Sequence, residues 1–362
     1  MKHIVLSVLI SLSLALSICA FPCHAAPSDS LSLSAESAIL IAAEDGSVLA
    51  QKNAHTRMGM ASTTKILTAL VALEHLELDD TVKIPKEAVG IEGSSVYLAE
   101  GEELTVRELL LALMLASAND AAVALAIAAC GDVESFVEKM NDYAARMGLE
   151  NTHFTNPHGL NDDGHYTTAY ELALIAKRAL ENEVLRDIVS TYKATVRYCG
   201  KKGGRVLVNH NKMLKLYSGA IGLKTGFTKA TGRCLVSAAQ RDGLTLIAVT
   251  LNASDDWNDH IRMLNFGFEH YRLELFADKG DFSYQMDVVG GTQSSVRLVN
   301  ASRIAFVVPK DHCDIQCRIE STSRFEYAPI VKGNFIATLI VECNGRTDTS
   351  ELIADYAVEK LK

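Results

Sequence analysis

Hydrophobic residues follow two different periods in the first part of this chain. Residues 38–43 and 48–51 are short apolar runs on either side of Asp45-Gly46, a pair typical of a tight β-turn. From Ser62 onward, apolar residues recur every three or four positions, which predicts an amphipathic helix. We therefore expect an antiparallel hairpin followed directly by a helix.

The most apolar segment, residues 104–130, contains a polar break at Ser117, Asn119 and Asp120. A single membrane-spanning helix would hold these groups in lipid, where buried polar and charged side chains are unfavourable. Two core helices joined by a polar corner fit the pattern better, with the corner facing a cleft. Taken alone, the corner is equally consistent with a plain turn between helices.

Helical spacing returns twice more before the chain changes to strands. The two predicted helices cover residues 133–147 and 168–182, and the loop between them is rich in turn-forming residues. Three strands of an antiparallel meander are then predicted at residues 222–228, 233–240 and 244–251. The first of these strands carries Lys224.

Beyond about Tyr271 the pattern is one of short alternating strands, which predicts a second, all-β domain. Its strands are predicted at residues 296–298, 303–308, 315–320 and 335–342. The last segment, residues 350–362, is a candidate short helix. Two roles remain open for it: packing against the protein, or peripheral contact with a membrane. We therefore divide the mature chain into residues 26–272, 273–349 and 350–362.

Residues 1–25 have the pattern of an export signal. Lys2 precedes an apolar run, and Cys23-His24-Ala25 places small residues where a signal peptidase cleaves. The apolar run is shorter than the roughly 20 residues of a membrane-spanning helix. We expect cleavage after Ala25 and a mature protein in the cell envelope, on the outer face of the cytoplasmic membrane or in the periplasm.

Composition changes this picture only slightly. The formal net charge of −9 argues against nucleic acid as a partner and against a purely electrostatic attraction to anionic lipid. Two of the eight cysteines leave with the predicted signal, and the others suit an oxidising compartment without revealing which pairs form disulfides. Cys313 and Cys317 lack the second cysteine pair of a zinc site. We expect neither a metal nor a cofactor.

Three short motifs occur in one order along the chain. They are Ser62-Thr63-Thr64-Lys65, Ser117-Ala118-Asn119 and Lys224-Thr225-Gly226. Together they contain the parts of a serine acyl-transfer site: a hydroxyl with an amine one turn away, a second hydroxyl with an amide, and a second cation on a strand. The first pattern alone is weak, because Ser190-Thr191-Tyr192-Lys193 repeats it without the other two. The prediction therefore depends on order and spacing.

The predicted chemistry needs Lys65 as a neutral base. A serine hydroxyl attacks a carbonyl only when a base removes its proton, and burial together with the neighbouring Lys224 would lower the pKa of Lys65. Ser117, held by Asn119, would pass the proton to the leaving amine. Lys224 would keep the electrostatic field of the site positive.

The strand after Lys224 is predicted to bind the substrate. Gly226 would let the substrate backbone lie close, and Thr225 offers a hydroxyl to a terminal carboxylate. The backbone N–H groups of Ser62 and Phe227 would form an oxyanion hole.

With these motifs the chain resembles the D-alanyl-D-alanine carboxypeptidases, the low-molecular-mass penicillin-binding proteins of peptidase family S11. The likeness also includes Gly93-Ser94-Ser95, His158-Gly159-Leu160 and Ala328-Pro329-Ile330-Val331-Lys332-Gly333. It implies an α/β catalytic domain of the penicillin-binding transpeptidase/β-lactamase type, an antiparallel sheet with a helical cluster, plus a small all-β C-terminal domain. It also implies a peptidoglycan stem peptide as substrate, loss of its terminal D-alanine, and inhibition by β-lactam antibiotics.

The resemblance assigns roles to the residues of the three motifs. Ser62 would be the acyl-enzyme nucleophile and Lys65 its base, supported by Ser117, Asn119 and Lys224. The substrate would contact Lys224, Thr225, Gly226 and Phe227.

The chain departs from the family pattern at several positions. Met60 stands where relatives commonly have proline, and Phe227 stands where some have histidine. Residues 252–260 lack the arginine with which relatives bind the substrate carboxylate, and Arg262 is the nearest candidate. His158 is expected to hold its loop near the site and not to transfer a proton.

Three other functions remain open. A class A β-lactamase of the same fold needs a second carboxylate in a Glu-x-x-Leu-Asn pattern, which does not occur between Ser117 and Lys224. An endopeptidase would cut peptidoglycan cross-links with the same residues. A wall-binding protein without activity would keep the fold, although here every acting residue is present.

Overall fold

The structure is a computed structural model that describes residues 31–197 and 203–362. The predicted export signal, residues 1–25, lies outside these residues. The strands in the first part of the chain are β1 Ser37–Ala42, β2 Val48–Lys52, β3 Thr81–Lys83, β4 Glu103–Thr105, β5 Lys193–Val196, β6 Arg205–Val208, β7 Ala220–Thr228, β8 Gly232–Arg241 and β9 Leu244–Leu251. Five of them form an antiparallel sheet in the order β2-β1-β9-β8-β7, and two further pairs are β3–β4 and β5–β6.

The helices cover both faces of this sheet. They are α1 Lys65–His75, α2 Val106–Leu115, α3 Asn119–Cys130, α4 Val133–Arg146, α5 Ala169–Glu181, α6 Glu183–Ser190, α7 Met213–Leu216 and α8 Asp256–His270. Several begin at polar caps; for example, Thr105 and Glu108 form a reciprocal capping box at the start of α2. The predicted hairpin, the two core helices with their corner and the meander are therefore confirmed, whereas α8 was not predicted.

Strand β1 explains why the sheet has two hydrophobic cores. All six of its residues are buried. Ile39 and Ile41 pack into the cluster that contains α1, α2, α3 and α5, while Leu40 packs into a second cluster with α8 residues such as Leu264. Successive strand residues point to opposite faces, so a continuous apolar run is expected for a strand covered on both sides.

The C-terminal part is an all-β region, as predicted. Its strands are β10 Tyr271–Ala277, β11 Ser283–Val289, β12 Ser295–Asn300, β13 Ile304–Pro309, β14 Ile315–Glu320, β15 Phe325–Tyr327, β16 Phe335–Cys343 and β17 Arg346–Ala354. Six of them form a sheet in the order β14-β16-β17-β12-β11-β15, and β10 pairs with β13. Buried residues from both groups share one hydrophobic cluster, which includes Leu298, Phe306 and Leu339.

The short helix predicted for residues 350–362 is wrong. Strand β17 occupies Arg346–Ala354, pairs with β16 and β12, and alternates buried Ser350, Leu352 and Ala354 with less buried residues. That period of two fits a half-buried strand, and the neighbouring strands satisfy its backbone hydrogen bonds. The predicted membrane contact depended on this helix, and the structure has strand β17 in its place. Within the two described ranges, every helix is too short or too polar to cross a bilayer.

Candidate active site

Ser62 lies in a short 3₁₀ turn and not within an α-helix. The turn covers Ala61–Thr64 and continues into α1 at Lys65. Ala61 has φ +47°, a left-handed conformation that costs a non-glycine residue about 1–2 kcal/mol. The sequence predicted Ser62 in the first turn of a helix. The 3₁₀ turn preserves the predicted contact, because residues three apart lie above one another in this geometry.

The amine of Lys65 is the centre of the site. Its Nζ lies 2.9 Å from Ser62 Oγ, 2.7 Å from Asn119 Oδ1 and 2.5 Å from the backbone oxygen of His158. The Lys65 side chain is fully buried, so these three oxygens are its polar surroundings. The structure thus brings Ser62, Lys65 and Asn119 together as the sequence predicted.

Asn119 is held in a fixed orientation. Its Nδ2 donates to the backbone oxygen of Glu92 at 2.5 Å, which turns Oδ1 toward Lys65. Its own N–H donates to Ser94 O at 2.7 Å. Gly93 has φ +88° and approaches closely: a Cβ there would lie 2.9 Å from Asn119 Nδ2. The Gly93-Ser94 segment therefore serves as the support for Asn119.

Ser117 occupies the corner between α2 and α3, as predicted. It has φ +60° and is 4% exposed, and it lines the cleft beside Ser62. A serine in this strained conformation is held there by the two helices that it joins. The corner is therefore more than a plain turn, because it presents a hydroxyl to the same cleft as the nucleophile candidate.

Two buried lysines give the site unusual electrostatics. Burial lowers the pKa of Lys65 well below 10.5, and the positive charge of Lys224 lowers it further, while Asp120 partly opposes the shift. Burial alone lowers the pKa of Lys224 to about 7. Lys224 Nζ donates to Thr225 O at 3.0 Å. Near neutral pH, a large share of these two amines is therefore uncharged.

Strand β7 brings Lys224, Thr225 and Gly226 against the nucleophile turn. It is an edge strand of the sheet, so it is paired on one side only. A Cβ at Gly226 would lie 3.0 Å from Met60 O and 3.1 Å from Ser62 N, contacts tighter than side chains normally allow. Glycine therefore lets the strand lie this close to Ser62, and a side chain here would require the neighbouring backbone to shift by a few tenths of an ångström.

A cleft of about 490 Å³ opens above these residues. Its lining residues are Ser62, Ser94, Ser117, His210, Lys212, Thr225, Gly226, Phe227, Arg233, Asp256 and Trp257. Phe227 lies at the rim, with 64% of its surface exposed. The predicted substrate-binding residues Thr225, Gly226 and Phe227 therefore all face the cleft, while Lys224 lies buried beneath it.

Arg233 also lines the cleft, although no motif in the sequence pointed to it. Its Nε and Nη2 donate to Asp256 Oδ1 at 3.0 and 2.5 Å, and its guanidinium lies 5.8 Å from the ring centre of Trp257. Asp256 is buried at the start of α8. In the β7–β8 hairpin, Arg233 lies directly opposite Phe227. That register was the signal that could have identified Arg233.

Arg262, the arginine suggested from the sequence, lies elsewhere. Its Nη1 donates to Asp259 Oδ1 at 2.9 Å and to Ser32 O at 3.1 Å. It is not among the residues that line the cleft. The suggestion is therefore wrong, because one turn of α8 separates Arg262 from Asp259 and directs its side chain to that acid and to the N-terminal segment.

The pattern at 190–193 is not a second site: Ser190 ends α6 and Lys193 begins β5, so they do not share a turn.

His158 contacts Lys65 through its backbone oxygen and not its ring. The ring accepts from Leu160 N–H at 3.2 Å, and burial lowers its pKa to about 4. The imidazole thus stabilises its own loop.

The comparisons with known proteins agree with this geometry. The family model described as Peptidase_S11, D-alanyl-D-alanine carboxypeptidase, matches residues 24–255. The chain is 36% identical over 321 residues to the D-alanyl-D-alanine carboxypeptidase DacF of Bacillus subtilis (strain 168), covering 86% of this chain and 82% of that protein. It is 30% identical over 335 residues to the D-alanyl-D-alanine carboxypeptidase DacC of Escherichia coli (strain K12), covering 87% and 82%.

Solved structures extend the similarity to the fold. The crystal structure of penicillin binding protein 5 from Haemophilus influenzae superposes with a TM-score of 0.73 at 26% identity, covering 91% of this chain and 98% of that chain. The predicted fold class is therefore confirmed, for the antiparallel sheet with its helical cluster and for the separate β-rich C-terminal part.

Proposed function

Because this chain belongs to the D-alanyl-D-alanine carboxypeptidase family and is a serine D-Ala-D-Ala carboxypeptidase, we propose that it cleaves peptidoglycan stem peptides through an acyl-enzyme on Ser62. The observation that carries this proposal is the contact between Lys65 Nζ and Ser62 Oγ at 2.9 Å. It joins a buried amine to a hydroxyl at the floor of an open cleft.

The partners of Lys65 support its role as a base. The oxygens of Asn119 and His158 can only accept hydrogen bonds, and both contact the amine. A neutral amine has two N–H groups and one lone pair. If the two N–H groups go to these oxygens, the lone pair faces Ser62 and can accept its hydroxyl proton. The lowered pKa of Lys65 favours this neutral form.

In the proposed acyl-transfer step, Ser62 Oγ attacks the carbonyl carbon of the penultimate residue, and Lys65 takes the hydroxyl proton. The backbone N–H groups of Ser62 and Phe227 stabilise the oxyanion that forms. The peptide C–N bond then breaks: the Ser117 hydroxyl gives its proton to the departing amine of D-alanine and takes in exchange the proton that Lys65 holds. Water hydrolyses the ester and regenerates Ser62.

We assign recognition of the substrate's terminal carboxylate to Arg233. Asp256 fixes its guanidinium at the edge of the cleft, and Lys212 also lines the cleft, with its Nζ 5.9 Å from the ring centre of Trp257. An arginine binds a carboxylate through paired N–H donors, which gives both affinity and orientation. The positive charges of Arg233 and Lys212, which line the cleft together with Thr225 and Gly226, support cleavage at a chain end, where a free carboxylate follows the scissile bond.

The same site should be acylated by penicillins and release them slowly. Among the described residues, the carboxylate that lines the cleft is Asp256, and it is engaged by Arg233. A fast β-lactamase needs a base to activate water against the acyl-enzyme, whereas the Asp256 carboxylate already accepts two hydrogen bonds from Arg233. This arrangement favours a penicillin-binding enzyme over a β-lactamase.

We further propose that the enzyme works outside the cytoplasm, after removal of residues 1–25. Residues 26–272 would form the catalytic unit and residues 273–349 a β domain that supports it. The family assignment and the Lys2 to Ala25 pattern support export.

Product analysis on defined peptides tests the proposal. Purified protein is incubated with a pentapeptide stem that ends in D-Ala-D-Ala, with a cross-linked muropeptide and with benzylpenicillin. We expect free D-alanine from the pentapeptide, and none from Ser62→Ala. Cleavage of the cross-link alone would indicate an endopeptidase, rapid penicillin turnover a β-lactamase, and no product from any substrate an inactive wall-binding protein.

A further inference from the structure

A second buried histidine lies behind the nucleophile turn, outside the motifs singled out in the sequence. His165 is 5% exposed. Burial lowers the pKa of its imidazole to about 4, so the ring is neutral near pH 7. The ring packs edge-on against Phe154, with the ring centres 5.6 Å apart. Both ring nitrogens face polar groups, and these groups determine which nitrogen carries the proton.

The hydrogen bonds around His165 run in one direction. The backbone N–H of Thr155 can only donate, and it donates to Nδ1 at 3.1 Å. Nε2 must therefore carry the proton of the neutral ring, and it donates to Thr64 Oγ1 at 2.7 Å. The Thr64 hydroxyl in turn donates to the backbone oxygen of Ala61 at 2.8 Å. His165 thus orders the hydroxyl that holds Ala61.

The carbonyl of Ala61 and the N–H of Ser62 belong to one peptide group. A peptide group is planar, so a hydrogen bond that fixes the carbonyl also fixes the direction of the N–H on its other side. Ala61 has φ +47°, an unfavourable conformation that needs such support. The contact from Thr64 therefore aims Ser62 N–H, the proposed oxyanion donor.

The loop that leads to His165 also restrains this carbonyl sterically. A Cβ at Gly159 would lie 2.0 Å from Ala61 O, which shows how closely the loop backbone approaches the turn. The same loop brings the backbone oxygen of His158 to Lys65. One loop therefore touches both the base and the peptide group that precedes the nucleophile.

We propose that His165 is a positioning residue, which acts through Thr64 to orient the peptide group between Ala61 and Ser62. The inference rests on the proposed role of Ser62 and adds a residue that never touches substrate. Its contribution belongs to the transition state, because the oxyanion forms only there. Loss of the contact should therefore lower kcat and leave KM nearly unchanged.

Two substitutions separate the two hydrogen bonds of the ring. The amide of His165→Gln reaches the place of Nε2 and can still donate to Thr64, but Thr155 N–H loses its acceptor. The shorter amide of His165→Asn reaches the place of Nδ1 and can accept from Thr155, but it cannot reach Thr64. We expect His165→Asn to lower kcat for D-alanine release about tenfold, and His165→Gln to stay within about threefold of wild type.

Thermal unfolding shows whether the loss of kcat simply follows a loss of stability. His165→Gln leaves the buried N–H of Thr155 without an acceptor, and His165→Asn leaves the N–H groups of its own amide without one, so both variants should be less stable than wild type. The loss of kcat should nevertheless be confined to His165→Asn. A purely structural role predicts that kcat follows stability, and that result would overturn the proposal.

Thr64→Val decides the question even where a histidine variant does not fold. It removes the hydroxyl and keeps His165, and we expect the same loss of kcat as in His165→Asn. The matched control is Thr250→Val, which removes a buried hydroxyl 3.0 Å from His260 Nε2 on β9, outside the cleft lining. It should lower stability without changing kcat. Unchanged kcat in Thr64→Val would contradict the inference.

The outcomes also distinguish this inference from the proposed function. If wild type releases no D-alanine, the proposed function fails. If wild type is active and all His165 and Thr64 variants match it, the positioning role alone fails.

Discussion

Replacement of Arg233 should abolish the preference for a free terminal carboxylate. In Arg233→Gln the side chain keeps much of its length but loses its charge and its paired donors. A hydrogen bond between charged groups contributes about 1.5–3 kcal/mol, which corresponds to about 10–150-fold in kcat/KM. Wild type should therefore cleave a peptide that ends in D-Ala-D-Ala faster than its C-terminal amide by a factor in that range. In Arg233→Gln most of this ratio should disappear.

The ratio of kcat/KM between the two peptides does not depend on how much of the protein is folded. Without the Arg233–Asp256 pair a buried acid has fewer partners, so the variant should be less stable than wild type. The loss in free energy of unfolding should be only about 1 kcal/mol, because about half of the Arg233 side chain is exposed. Reduced stability scales both peptides equally and leaves the ratio unchanged. Arg262→Gln is the matched control, because Arg262 faces Asp259 outside the cleft lining. An unchanged ratio in Arg233→Gln would refute the assignment.

Three further predictions follow from the buried lysines and the cleft. The folded pKa of Lys224, about 7, lies below its unfolded value of 10.5, so the unfolded chain binds more protons between these values. Lys224 should therefore make the free energy of unfolding rise with pH across that interval, by up to about 1.4 kcal/mol per pH unit. Denaturant titrations at several pH values should show a smaller rise with pH for Lys224→Met than for wild type. An equal rise in both proteins would count against a depressed pKa. Gly226→Ala should still fold, as circular dichroism would show, but its kcat should fall at least about tenfold, because the new Cβ would crowd Met60 O and Ser62 N. A normal kcat would show that the strand can move to make room. Ser117→Ala should slow D-alanine release by about 10²–10⁴-fold if it transfers the proton, and a loss below about threefold in stopped-flow assays would remove it from that role.

Local patterns predicted the parts of the fold and site whose geometry depends on near neighbours. The Asp45-Gly46 hairpin, the α2–α3 corner and the meander follow from turn chemistry and hydrophobic spacing. The contact between Ser62 and Lys65 also depends on a separation of three residues, so it survived the change from an α-helical turn to a 3₁₀ turn.

The features that the sequence could not predict depend on distant parts of the chain. Arg233 is held at the cleft by Asp256, which lies at the start of α8, a helix that was not predicted. The terminal segment has apolar residues compatible with a helix, but pairing with β16 and β12 makes it a strand. His165 meets Thr64 across 101 residues of sequence. In each case contacts between distant parts of the chain determine the structure, and the local spacing of residues does not reveal those contacts.

The most direct test of the account is to locate the covalent bond that a β-lactam forms with the protein. Full-length protein is exposed to benzylpenicillin near neutral pH, digested and mapped by mass spectrometry, with Lys65→Ala treated in parallel. We expect one penicilloyl adduct, on Ser62, that persists for minutes, and strongly reduced labelling in Lys65→Ala. An adduct on another residue, or equally fast labelling of Ser62 without the Lys65 amine, would contradict the claim that this buried lysine activates this serine.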